Sequence, residues 1–167
     1  MKINLSRYAP PGFELRTELQ FFIAGMALAT LHSLSFLTRF AHAKSDLYGR
    51  IGTDRYLLPG AVMPDFHTLV GKALIGFLVL AIWWILVFVS AHYGYHFAGS
   101  KSIYLMRRLP DRWELHRRCW TLPLLVVLLC LLTATILFLV YYGIYMAATP
   151  KECLTPHQWQ KIWSVLL

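Results

Sequence analysis

The sequence predicts an all-α fold, an integral membrane protein with three transmembrane helices plus short interfacial helices in a single membrane domain over residues 1–167. Two observations carry that prediction. Only 14% of the residues are charged and 57% are hydrophobic, whereas a soluble domain averages about 25% charged residues. The apolar residues also fall in three continuous runs rather than alternating at every second position, which favours helices over barrel strands. With aromatics at 15%, ten glycines and three cysteines, the composition excludes intrinsic disorder, collagen and a small disulfide scaffold.

A span needs about 20 mainly apolar residues, because the hydrocarbon core is about 30 Å thick and a helix rises about 1.5 Å per residue. The first run begins at Leu19, between Glu18 and Arg39, and predicts a span over about 19–38. The second begins at Leu69 and predicts a span over about 69–92, with Lys72 near one end, where its stem can snorkel to the interface. The third, over about 121–146, is the most apolar, and Tyr141, Tyr142 and Tyr145 are expected to form an aromatic belt at its far end. These spans leave a loop over about 39–68, a loop over about 97–120 and a tail over 147–167. Ala41-His42-Ala43 has the shape of a signal-peptidase site, but the run before it is too long and Arg39 intrudes, so a retained span is expected.

Orientation follows from basic residues near the span ends. Placing the N-terminus and the 97–120 loop in the cytoplasm puts nine Lys and Arg inside and six outside. The expected location is the cell membrane, multi-pass, with the C-terminus outside. The formal charge of +8 therefore reads as membrane flanks facing anionic lipid, not as a nucleic-acid surface.

The three cysteines fall in three separate places, so no intrachain disulfide is expected. Of the seven histidines, His92 and His96 stand four apart and could share a helix face as a metal pair does. They are expected instead as amphipathic rings at the membrane interface. His32 and His92 fall at different depths, which argues against a bis-histidine haem. The acids, Glu18 among them, are all assigned to loops or flanks, and no nucleophile-and-base set, Gly-rich phosphate loop or intramembrane carboxylate pair is visible. The sequence thus predicts no catalytic residue, no metal site and no cofactor, and a chain that is not an enzyme.

The 97–120 loop holds most of the functional information. It reads SKSIYLMRRLPDRWELHRRCW from Ser100 to Trp120. Asp111 is placed to cap a short helix over about 112–118, with Glu114 three residues on completing a capping-box arrangement. That helix would display Trp113 and Leu115 among arginines, a composition that interfaces enrich. A membrane anchor in which Trp113 sits among headgroups accounts for the same residues.

The run of Lys101, Ser102, Ile103, Leu105, Leu109, Pro110 and Arg112, set between two spans, resembles the loop of ABC-type exporter permeases of the type-2 class. In that family the loop leads into a short coupling helix that docks on the ATPase. The resemblance covers about twenty residues and their flanking spans. It departs from the family in three ways: Arg112 stands two residues after the proline rather than three, Arg108 replaces a common small residue, and the chain has three spans where the family usually has six. It implies a non-catalytic transmembrane subunit of an export complex, coupling through Leu109, Pro110, Asp111, Arg112, Trp113, Glu114 and Leu115 to an ATPase subunit beside a longer permease subunit. The alternative is a small membrane scaffold or regulatory protein that binds anionic lipid or a partner membrane protein. A holin-type pore is a third reading, disfavoured by spans with little polar face.

Two features concern packing. Gly25, Ala29 and Ser33 recur every four residues and offer a small-residue strip for close helix approach. In the tail, Pro156 marks a helix start, and Trp159 and Trp163 share a face expected to lie on the outer interface or on a partner.

Overall fold

A computed structural model describes residues 15–51, 54–98 and 113–166. It is overwhelmingly helical, and three of its helices are long and apolar enough to cross a membrane. The chain divides into two compact units, residues 1–29 with 76–133 and residues 30–75 with 134–167.

The first apolar run forms α1 (Leu15–Ser33) and α2 (Ser35–Asp46), joined at Leu34. The Leu34 N–H donates to both the Thr30 and Leu31 carbonyls, a tightened turn that keeps the backbone satisfied. Together they give a 31-residue candidate span over Arg16–Asp46, longer than the expected 19–38 because helix continues through Arg39 to Asp46.

The second run does not start at Leu69. Leu69 and Val70 close a short helix α3 (Phe66–Val70), and Gly71 ends it at φ 42°, a conformation that glycine adopts without a Cβ penalty. Lys72 falls in the turn that follows, and the spanning helix begins with α4 (Ile75–Trp84). It continues through one wide π turn (Ile85–Val89) into α5 (Ser90–Ala98). Ala81, Trp84, Phe88 and His92 are all buried. Their spacing of three, four and four residues is the ordinary recurrence of one helix face.

The third run lies inside α6 (Trp113–Ala148), a single helix of 36 residues. The expected short helix before the span is therefore continuous with it. Pro123 is inside this helix and fully buried.

In the first unit, Ala81, Trp84, Phe88, Val126 and Cys130 form the core, with Phe22 and Met26 of α1 packed on it. Trp84 and Phe88 stack with centroids 4.1 Å apart, and Phe22 meets Trp84 edge-on at 5.5 Å. Leucines on the outer helix faces remain open, Leu128 at 66% and Leu86 at 64%. In water such continuous apolar exposure would drive association, whereas in lipid it costs nothing.

In the second unit, an antiparallel hairpin of β1 (Tyr48–Ile51) and β2 (Asp54–Leu57) pairs Tyr48 with Leu57 and Gly49 with Tyr56. The core is aromatic: Phe36 stacks on Tyr141 at 4.6 Å and meets Phe66 edge-on at 5.9 Å. Tyr141 and Tyr145 are thus interior, not the expected interfacial belt. Their hydroxyls are satisfied inside, Tyr141 against Ser33 Oγ at 2.8 Å and Tyr145 donating to the Pro64 carbonyl at 3.0 Å. A short 3-10 turn (Lys151–Cys153) leads to α7 (Gln158–Leu166).

Candidate functional site

The first unit holds a buried polar centre that begins with a proline. An interior proline has no N–H to give the carbonyl four residues earlier, so Pro123 frees the carbonyl of Cys119 inside α6. His92 of α5 takes it, with Nδ1 3.1 Å from the Cys119 oxygen. The other ring nitrogen, Nε2, lies 2.7 Å from Glu18 Oε1 of α1. His92 and Glu18 are both buried, as is Cys119.

A carbonyl can only accept, so Nδ1 carries a proton and donates. One further proton then lies between Nε2 and Oε1. With that proton on nitrogen, the pair is imidazolium and carboxylate; with it on oxygen, both groups are neutral. Either way the pair carries no net charge, which lets it sit among apolar helices. Chemically it is a polar tie across α1, α5 and α6 that holds one exchangeable proton.

Around this centre the first unit carries basic and aromatic groups at its surface. Trp113 opens α6 at 75% exposure, its ring 5.9 Å from His116. Tyr93 bonds His116 Nδ1 at 2.6 Å. Arg16, Arg117 and Trp120 are also exposed. Beside Glu18, a cavity of about 390 Å³ runs between α1 and α6.

A second polar cluster lies in the other unit. Asp65 Oδ1 accepts from Thr155 Oγ1 at 2.8 Å, Gln158 Nε2 at 2.9 Å and Lys161 Nζ at 2.8 Å. Gln158 also bonds Thr155 through its Nε2 and accepts from the Phe66 N–H at 3.2 Å. The bonds from Lys161 and Thr155 hold the Asp65 carboxyl down to about 2 from 3.8. With Ile162 buried as well, the tail helix docks on its own chain through these residues.

Leu109, Pro110, Asp111 and Arg112 lie outside the described residues. Trp113 is exposed; Glu114 and Leu115 are placed in α6 by their backbone alone. In the small-residue strip, a methyl added at Gly25 would lie 2.5 Å from Leu80 Cδ1, so α1 and α4 approach closely there. Ala29 is buried, and Ser33 Oγ donates to the Thr30 carbonyl at 2.7 Å. Cys119, Cys130 and Cys153 are free and buried. Among the described residues no three His, Cys, Asp or Glu side chains gather as a metal site.

Sequence reasoning missed the Glu18–His92 pair by treating Glu18 as a flank and His92 as an interfacial ring. The available signal was Pro123, whose missing N–H requires another donor for the Cys119 carbonyl. No protein-family model matches the chain, nor does any curated protein or solved structure.

Proposed function

We propose that the chain is a non-catalytic membrane scaffold or regulatory protein that docks on anionic lipid headgroups through the basic and aromatic surface of its first unit. The observation that carries this reading is Trp113, 75% exposed and one helical turn from the exposed Arg117. Trp120 and Arg16 add a second aromatic and a second cation to the same unit. An amphipathic indole belongs at the headgroup level, and each nearby arginine adds about 1 kcal/mol of attraction to an anionic surface. In this proposal the N-terminus and the 97–120 loop face the cytoplasm, and the chain resides in the cell membrane.

The second reading is the ABC-type export subunit, which the run Lys101 to Arg112 favours. It calls for contact between Leu109–Leu115 and an ATPase, with a longer permease alongside. The continuity of α6 from Trp113 into the span makes Trp113, Glu114 and Leu115 part of the spanning helix.

The two separate on the arginines and Trp113. Lipid docking depends on summed charge, so Arg16→Gln with Arg117→Gln should release anionic phospholipid from the purified chain, and Trp113→Tyr should retain it. If Trp113→Tyr instead abolishes a protein partner while the arginine changes do nothing, the lipid reading is wrong.

A further inference from the structure

We propose that the cavity between α1 and α6 holds one acyl chain of an anionic bilayer phospholipid, with the phosphate of that lipid on Arg16. This rests on the lipid-docking reading and assigns it a specific site. The walls are built for a hydrocarbon. Leu122, Leu125, Val126 and Leu129 of α6 repeat at three- and four-residue steps and form a strip roughly 10 Å long at the helical rise. Leu19 and Phe22 of α1 face them, and the buried Trp84 lines the base.

Among the described lining residues the charged groups, Arg16 and Glu18, both belong to α1. Arg16 is exposed there, and Glu18 is buried with Oε1 engaged by His92 Nε2 at 2.7 Å. The carboxylate is thereby neutralised by its partner, which leaves Arg16, among the described lining residues, as the charge an approaching headgroup meets. A guanidinium above an apolar trough complements a phosphate above an acyl chain. Water fits poorly, because a trough lined by leucine, valine and aromatic rings offers it few hydrogen-bond partners.

The test uses the full chain in native membrane vesicles supplied with a phosphatidylglycerol that carries a diazirine midway along one acyl chain. After photolysis, labelled peptides are mapped by mass spectrometry. Resolved residue by residue by fragmentation, labelling is expected at Phe22, Leu122, Leu125, Val126 and Leu129, reduced about fivefold by Arg16→Gln and displaced by Leu125→Trp, which fills the trough. Arg16 is exposed, so its variant keeps the packing even where Leu125→Trp disturbs it, and circular dichroism checks the helix content of both. Even labelling over the outer leucines of all three spans, Leu28, Leu86 and Leu128 included, overturns the proposal. So does trough labelling that appears only after detergent extraction, because a partner helix then occupies the site in the membrane. Trough labelling equal for phosphatidylcholine and phosphatidylglycerol, and indifferent to Arg16→Gln, removes the Arg16 headgroup contact and overturns the proposal as stated. Failure of the wider docking reading shows separately, as anionic lipid retention that ignores Arg117.

Discussion

His92 is the residue on which the first unit turns. Its ring bridges a carbonyl freed by Pro123 and a carboxylate from another helix, and both side chains of the pair are buried. Breaking a buried pair by removing one member leaves an uncompensated charge and costs about 3–5 kcal/mol, whereas replacing both by apolar groups is close to neutral. We therefore expect His92→Phe to lower detergent-solubilised stability by about 3–5 kcal/mol, and His92→Phe with Glu18→Leu to recover part of that loss in thermal unfolding, the remainder being about 1–3 kcal/mol for the Cys119 carbonyl left without its donor. Additive losses in the double variant would show that the two side chains act independently. Asp65 gives a pH prediction. Its folded value of about 2 lies below 3.8, so its stabilisation is complete above about pH 4 and is lost as pH falls through about 2. Hydrogen exchange in α7 should accelerate across that window in the native chain, and Asp65→Asn should flatten the response.

At the scale of elements, two glycines set where helices stop and how closely they approach. Gly71 sits at φ 42°, and an added Cβ would meet Arg39 Nη1 at 2.9 Å and the Thr68 carbonyl at 3.2 Å. Gly71→Ala should cost about 1–3 kcal/mol in thermal unfolding, because φ 42° with ψ −117° is a backbone region that glycine alone enters readily. Gly25 differs, because the atom in the way is the tip of the flexible Leu80 side chain. Gly25→Ala should be tolerated, while Gly25→Ile should cost about 1–3 kcal/mol through overpacking. These elements also show how much was legible from the residues. Continuous apolar runs gave the three long helices, because a bilayer makes length and hydropathy nearly sufficient. The ends were harder to place: Gly71 cuts Leu69 and Val70 from the second span, and helix runs past Arg39 into α2. The pairing of β1 with β2 falls in what reads from sequence only as a loop over about 39–68, since four-residue strands carry little periodicity. Tyr141 and Tyr145 look interfacial in sequence and became core once α2 and α3 covered them, a tertiary event that no local pattern records. The polar centre was the least visible, because it joins residues 18, 92 and 119 across three helices.

For the whole molecule, two compact units with their own cores share three helices apolar enough to span a bilayer. Each unit contains one polar cluster, Glu18–His92 in one and Asp65 with the tail helix in the other, and each cluster ties together segments distant in sequence. The orientation proposed from the basic flanks predicts that a cysteine placed at Ser100 is labelled by a membrane-impermeant thiol reagent only after the cell is opened, and one at Gly60 in intact cells. The reverse pattern would invert the topology. The most direct measurement of the central claim is to purify the tagged chain from its native membrane in mild detergent and identify by mass spectrometry what accompanies it. Lipid docking predicts anionic phospholipid in fixed proportion and no ATPase; a stoichiometric ATPase with a longer permease would contradict it and establish the export-subunit reading in its place.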